Sequence, residues 1–556
     1  MKINRSPQGR DAQVQHALLL HQAGRLEEAL DEILRLLKVL PQSALLLTHY
    51  GTIEIRKGNV EKGVRVLQQA MRADPNQPMA LANCASGLGL LGRLEEALPY
   101  YGRAVRLSPD DPELFYNQGV ALEGLGRLGE ALASYDRAID LNGNYAEAHN
   151  NRGLVLEKLG RFAEALESCD HAIALQKDYA KAFNNRGAVF QELNRMEEAI
   201  ESYNRAIALK PDDAVAYNNR GTVFQETRRF EEAEENYNRA IALQPDYAEA
   251  HLNQSLLKLL MGDYLAGWTL HEWRWKTAGK KSAYFFKQRP WLGEESLRNK
   301  KILIYPEQGI GDFIQFCRYI PLLEKEGAKI ILMVPRPLAR LFSGPWKRFT
   351  IIEEGQTFPP FDLHCPLMSL PMIFKTTVST IPADIPYLFP DPEQTAAWGR
   401  RLGTKVKKRI GLAWSGNPNH KNDRKRSVPL ECLSPLRGLP FEFHSLQKEY
   451  RGNDRLLMGE TGILDHSGEL RDFSDTAALI SEMDLVLSAD TSAAHLSGAM
   501  GKPVWVLLPY APDFRWLLDR SDSPWYSTAT LFRQNTLGDW GTVLSEVAVK
   551  MKMELT

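Results

Sequence analysis

The chain has 556 residues, 44% of them hydrophobic, and its 68 basic and 69 acidic residues leave a formal charge of −1. That balance gives no basic excess for a nucleic-acid backbone, so no nucleic-acid partner is expected, and the length exceeds what one closed core organises. Five cysteines, Cys84, Cys169, Cys317, Cys365 and Cys432, lie far apart with no C-x-x-C pair, which points to a reducing compartment and away from structural zinc.

The start, Met1-Lys2-Ile3-Asn4, opens no apolar signal core, and no later run approaches the length of a membrane span. A cytoplasmic protein without a transmembrane segment is expected, with peripheral membrane contact left open. Asn151-Arg152-Gly153 then returns 34 residues on as Asn185-Arg186-Gly187 and again as Asn219-Arg220-Gly221. A small residue keeps this phase at Gly51, Ala85, Gly119, Gly153, Gly187, Gly221 and Ser255, and a second series runs Ala29, Gly63, Ala97, Ala131, Ala165, Ala199, Ala233, Gly267. Prolines 41, 75, 109, 211 and 245 close the units. Each unit reads as two amphipathic helices crossing where only small side chains fit. The pattern resembles the tetratricopeptide repeat, in about eight copies over residues 10–281, which implies an all-α solenoid.

The first helix of each unit carries Asn83, Asn117, Asn151, Asn185, Asn219 or Asn253 at one phase. A carboxamide donates and accepts, so such a ladder can grip the backbone of an extended protein or peptide partner. It can equally brace neighbouring repeats; its uniformity toward one groove favours the ligand reading.

Past Gly267 the period dissolves into a junction, 282–300, preceded by Trp268, Trp273 and Trp275 and containing Trp291, with Lys280, Lys281, Lys287 and Arg289 interspersed. The tryptophans are expected to seal the last repeat and the basic residues to be solvated. From Lys301 short apolar runs alternate with helix-length segments: 301–305, 329–334, 409–414, 441–446, 484–488 and 503–508 read as buried strands of parallel sheets. They form two Rossmann-like α/β lobes, 301–395 and 409–535, divided by a linker at 396–408 and closed by a helix within 536–556.

Three motifs carry chemistry. Glu307-Gln308-Gly309-Ile310-Gly311-Asp312 follows a strand and opens a helix, where Gly309 and Gly311 admit a substrate to the backbone and Asp312 can act as general base or merely cap the helix. Ser488-Ala489-Asp490-Thr491-Ser492-Ala493-Ala494-His495 places Asp490, Thr491, Ser492 and His495 at a strand end and helix start suited to a pyrophosphate. Trp414-Ser415-Gly416-Asn417-Pro418 is a glycine turn (Ser415, Gly416, Asn417) before a basic loop, 419–426, whose Arg426 can neutralise a leaving nucleotide; Arg424 and Lys425 read as solvated charge. Gly498-Ala499-Met500-Gly501-Lys502-Pro503 only superficially suggests a phosphate loop, since its glycine spacing is wrong and Pro503 replaces the hydroxyl residue. No D-x-D pair or H-E-x-x-H supports a metal.

Gly309-Ile310-Gly311-Asp312, Arg426-Ser427-Val428-Pro429 and Asp490-Thr491-Ser492-Ala493-Ala494-His495-Leu496 together resemble the heptosyltransferase family of glycosyltransferases, family 9. Further resemblance lies in Thr476-Ala477-Ala478-Leu479-Ile480, Gly501-Lys502-Pro503-Val504-Trp505 and Ser523-Pro524-Trp525-Tyr526. The resemblance implies a GT-B fold over about 300–550 and an inverting, metal-independent transferase that uses a nucleotide sugar as co-substrate and needs no cofactor. Asp312 falls on the family's catalytic base, and Asp490, Thr491 and His495 on its diphosphate-binding residues. Where members carry lysine before Trp-Pro, this chain has Arg426 before Val428-Pro429, which leaves the sugar open. Repeats joined to a GT-B enzyme are also similar to the O-linked N-acetylglucosamine transferases, whose groove carries an Asn ladder; this implies a protein acceptor. The alternatives are a catalytically inactive peptide-binding scaffold and a lipid-linked glycan or heptosyl transferase that uses the repeats for assembly.

Overall fold

The computed structural model describes residues 7–277, 286–342, 344–418 and 422–555. Met1-Lys2-Ile3-Asn4, Lys280, Lys281 and Asn419 lie outside them. Sixteen helices run from Pro7 to His271, in pairs such as Ala146–Lys158 with Phe162–Leu175 and Ala180–Glu192 with Met196–Leu209. The pairs meet where the sequence carries small residues. A Cβ added at Gly153 would lie 2.8 Å from Cys169 Sγ, and one at Gly119 or Gly187 would meet Tyr135 or Tyr203 at 2.6 and 2.7 Å. Ala29, Ala97, Ala131, Ala165, Ala199 and Ala233 are fully buried.

The Asn-Arg-Gly signature thereby has a structural meaning. Glycine lets the paired helices touch. Arginine spans two units: Arg152 donates to Asp136 (2.6 Å) and Ser168 (2.5 Å), and Arg186 to Asp170 (3.1 Å) and Ser202 (3.2 Å). Asparagine reaches into the preceding unit, as described below.

The chain forms two compact units that meet at Val223 and Phe224, so the boundary falls inside the repeat array rather than at residue 281. The physical reason is the core of the second unit. Leu259, Leu260, Tyr264 and Trp268 from the last repeat helices are buried in one cluster with Ile302, Ile304, Phe313 and Phe316. Trp291 belongs to the same cluster, while Trp273 stacks on His251 with ring centres 3.8 Å apart. Trp268 and Trp291 therefore seal this core, whereas Trp273 and Trp275 lie outside it.

The second unit contains two parallel sheets. In the first, β1 (Lys301–Tyr305), β2 (Lys329–Val334), β3 (Thr350–Glu353) and β4 (Leu363–Pro366) are ordered β3-β2-β1-β4, with Lys301 beside Lys329 and Ile302 beside Leu363. In the second, β5 (Arg409–Ala413), β6 (Glu442–Ser445), β7 (Leu485–Ala489), β8 (Val504–Leu508) and β9 (Ala529–Arg533) are ordered β6-β5-β7-β8-β9, with Ile410 beside Leu485 and Val486 beside Val504. All pairs are parallel, so every strand of a sheet ends on the same edge. Within the segment 396–408 read from sequence as linker, a helix, Pro392–Leu402, occupies the first half, capped by Asp391 and holding Trp398 buried. Its Pro at the first turn starts a helix, and Gly403 in a left-handed conformation (φ 69°) ends it. The closing helix is Trp540–Leu555.

Gly119→Ala, which drives a methyl into Tyr135, is expected to destabilise the first unit by about 1–3 kcal/mol. Gly129→Ala, in the next helix with nothing within 4 Å of the added carbon, is expected to stabilise it by about 0.5–1 kcal/mol. Urea denaturation of the two variants checks the opposite signs.

Candidate active site

Each sheet has one place where the chain reverses its direction of strand addition: between β1 and β4 in the first, and between β5 and β7 in the second. The three sequence motifs leave the strands that flank these places. Gly309–Asp312 follows β1, Ser415–Asn417 follows β5, and Asp490–His495 follows β7.

Asp312 sits in the first turn of the helix Ile310–Phe316, and its Oδ2 accepts the Gly309 N–H at 2.8 Å. The capping role weighed from the sequence is thus real. Its Oδ1 is ion-paired with Arg515 Nη2. Neither carboxylate oxygen is idle, which departs from the expected free base. Arg515 is buried; Nη1 donates to Asp513 (2.7 Å) and Nε to Gln315 (2.8 Å). The Asp312 side chain keeps 19% of its surface exposed, against 10% for Arg515.

The helix Ser492–Ala499 begins with Thr491, whose hydroxyl accepts the Ala493 N–H at 3.3 Å and lies 3.1 Å from the Ser488 hydroxyl. Ser492 is half-buried at its first position. This helix packs against Ile310–Phe316: a Cβ on Gly311 would meet the His495 ring at 3.0 Å. The structure thus brings together Gly309, Gly311, Asp312, Asp490, Thr491, Ser492 and His495. His495 Nδ1 is 3.0 Å from the Tyr526 hydroxyl and Nε2 is 3.7 Å from Asp490 Oδ1. Burial, with Arg515, Arg318 and Arg426 adding repulsion, drives the imidazole well below its usual range, so the ring is neutral. Burial, then the facing Asp513 carboxylate, pushes Asp490 up to about 6.

Arg426 closes the short helix Asp423–Arg426 and lies on Gly416, where an added Cβ would be 2.8 Å from Nη2. Its charge acts on Asp490. Buried Asp423 is 3.9 Å from Arg426 and also pairs with Arg451, which donates to the Gly416 carbonyl. Ser415 is buried against Gln447, which donates to its hydroxyl at 2.9 Å, and Asn417 is exposed. Lys425, read from sequence as solvated, instead pairs with Glu226 at 2.5 Å. The decoy segment serves structure: Gly498 lies on the Tyr526 ring, and Lys502 donates to the Ser481 carbonyl at 3.0 Å. Arg515, Asp513, Gln315 and Tyr526 were not singled out as site residues. They lie on no repeated phase, and only Ser523-Pro524-Trp525-Tyr526, among the resembling segments, touched the group.

The asparagine ladder braces repeats. Asn83 donates to Thr52 (2.8 Å), Asn151 to Tyr116 (3.2 Å), Asn185 to Asn150 (2.9 Å) and Asn219 to Asn184 (3.2 Å). Each bond spans 31 to 35 residues, one unit of the array. Asn117 and Asn253 are half-buried like the others. One amide hydrogen of each of these four residues is therefore committed to the neighbouring unit.

Family models of the tetratricopeptide repeat match residues 10–78, 90–126, 124–160, 144–212 and 178–246. The N-terminal region is built of these repeats. Protein FlbA of Caulobacter vibrioides is 25% identical over 329 residues, 54% of each chain, so this chain spans about half the length of that relative. A tetratricopeptide repeat protein from Parabacteroides merdae is similar over 45% of this chain and 99% of its own, with 18% identity and a TM-score of 0.38. YrrB, described as a TPR protein with an unusual peptide-binding site, covers 34% of this chain and 96% of its own, with 23% identity and a TM-score of 0.29. No helix among the described residues is long and apolar enough to cross a membrane.

The raised Asp490 has a stability consequence. A carboxyl whose folded pKa lies above its unfolded value penalises folding once it must ionise, so the penalty is absent at low pH and complete above about 6. Asp490→Asn is therefore expected to raise the melting temperature at pH 8 and to have a smaller effect at pH 5. Thermal melts at the two pH values check the difference.

Proposed function

We propose that the second unit is an inverting, metal-independent glycosyltransferase with two GT-B lobes, as the motif resemblance implies. The observation that carries the reading is the convergence of the motifs on the strand-reversal points of two parallel sheets, the edge at which open α/β sheets receive nucleotides. In this reading the donor is a nucleotide sugar. Thr491, Ser492 and the start of the helix Ser492–Ala499 hold its diphosphate, and Arg426 neutralises charge on the departing nucleotide. An acceptor hydroxyl oxygen attacks the anomeric carbon opposite the diphosphate. The new C–O bond forms as the bond from that carbon to the phosphate oxygen breaks. The electron pair leaves with the diphosphate, and the hydroxyl proton passes to Asp312. The repeats supply a protein or peptide acceptor, consistent with the extended binding surfaces such arrays present. The proposed setting is the cytoplasm.

A second reading, a catalytically silent peptide-binding scaffold, is favoured by one observation: both oxygens of Asp312 are engaged. Calorimetric titration of the purified protein with ADP, GDP, UDP and their sugar derivatives separates the two. Binding of at least one is expected, and no binding to any leaves the scaffold. Asp312→Asn is expected to lower transfer by about 10²–10⁴-fold. Deleting residues 1–223, at the unit boundary, is expected to preserve nucleotide binding and abolish protein modification, read by intact mass. Undiminished transfer to lipid-linked glycan after that deletion would point to the assembly role instead.

A further inference from the structure

Arg515 is held in a way that divides its guanidinium in two. Nε and Nη1 are anchored to Gln315 at 2.8 Å and Asp513 at 2.7 Å, while Nη2 is given to Asp312. Its segment is fixed independently of that last contact. Arg533 donates to the carbonyls of Trp516 (2.6 Å), Leu517 (3.0 Å) and Arg520 (2.9 Å). Leu517 and Asp519 have φ of 51° and 49°, a left-handed conformation that bulky side chains adopt only when their surroundings impose it. Nη2 can therefore change partner without the loop moving. The carboxylates near it, Asp312, Asp490 and Asp513, outnumber the two guanidinium groups, Arg426 and Arg515, that act on Asp490. An incoming diphosphate carries more negative charge than Arg426 alone, whose Nε has no hydrogen-bond partner, can neutralise, and Arg515 is the paired guanidinium that acts on the same Asp490.

Building on the transferase reading, we propose that Arg515 is a donor-binding residue whose Nη2 exchanges Asp312 for the nucleotide diphosphate, so that donor binding itself releases the base. Before the donor arrives, both oxygens of Asp312 are occupied, one by the Gly309 N–H and one by Arg515 Nη2. Afterwards it is a carboxylate held only by the Gly309 N–H, facing the acceptor. The exchange is one ion pair for another, with no bond made or broken.

The test is binding rather than turnover, using whichever of ADP, GDP or UDP the wild-type protein binds. If Asp312 competes with the diphosphate for Arg515, Asp312→Asn tightens binding by about fivefold or more. Arg515→Gln weakens binding by about tenfold or more, and Arg515→Lys retains part of it. In the double variant Asp312→Asn/Arg515→Gln, the gain from Asp312→Asn disappears. An Arg515 that only braces the fold predicts unchanged or weaker binding for Asp312→Asn, and that result overturns the proposal while leaving the transferase reading intact. Failure of the wild-type protein to bind any of the three nucleotides overturns both. Should Arg515→Gln fail to fold, the Asp312→Asn and Arg515→Lys measurements still decide the matter.

Discussion

Close approach of backbones is the constraint on which the molecule depends. In the repeats, Gly51, Gly119, Gly153 and Gly187 touch the partner helix with no room for a Cβ. The same device recurs in the second unit, where a Cβ added at Gly267, Gly311 or Gly498 would lie 2.6 Å from Leu259, 3.0 Å from His495 or 2.4 Å from Tyr526. Gly311 matters most for chemistry. A side chain there would push the helix bearing Asp312 away from the helix bearing His495, and the candidate residues of the two lobes would separate.

That closeness concentrates charge where water is scarce. Buried charges are tolerated only when paired, because desolvation of each costs several kcal/mol unless hydrogen bonds repay it. The cluster meets the condition in three ways. Arg515 is shared between two carboxylates, Asp423 is paired with Arg451, and His495 escapes charge altogether by staying neutral. Asp490, buried and facing Asp513, is left least compensated, which is why its carboxyl is pushed above the usual carboxylate range. A site balanced this closely responds to an added anion by redistributing partners as well as through Arg426, whose Nε has no hydrogen-bond partner.

Much of this was legible in the sequence, for identifiable reasons. The repeats announce themselves because each unit solves the same packing problem at the same phase. Six strands show as apolar runs because both faces of a parallel sheet are covered. The strands Thr350–Glu353, Leu363–Pro366 and Ala529–Arg533 escaped notice: all three lie at sheet edges, and Leu363-His364-Cys365-Pro366 also lacks β-branched residues. Site residues at strand ends were readable because topology dictates where they go. Arg515 was not, because its role depends on contact across 203 residues with Asp312. The asparagine ladder was ambiguous for a chemical reason: bracing a neighbour and gripping a peptide both ask for a carboxamide at a constant phase.

The corner between the helices Ala214–Glu226 and Phe230–Leu243 shows where repeat design yields to the second unit's own needs. At this phase Gly24, Gly58, Gly92, Gly126, Gly160 and Gly262 take positive φ, the conformation a tight inter-helix corner requires. Arg228 takes it too, at φ 59°. A non-glycine residue in the left-handed region carries a cost of about 1 kcal/mol or more. Here the side chain has a use: Arg228 pairs with Asp519 at 2.6 Å and lies over the Tyr510 ring. Two residues earlier, Glu226 pairs with Lys425, next to Arg426. One corner thus holds both the loop that presents Arg515 and the segment that presents Arg426. A generic repeat would put glycine there and lose the first of these ties, so the departure from the repeat pattern is explained by the loops it secures rather than by the array it belongs to.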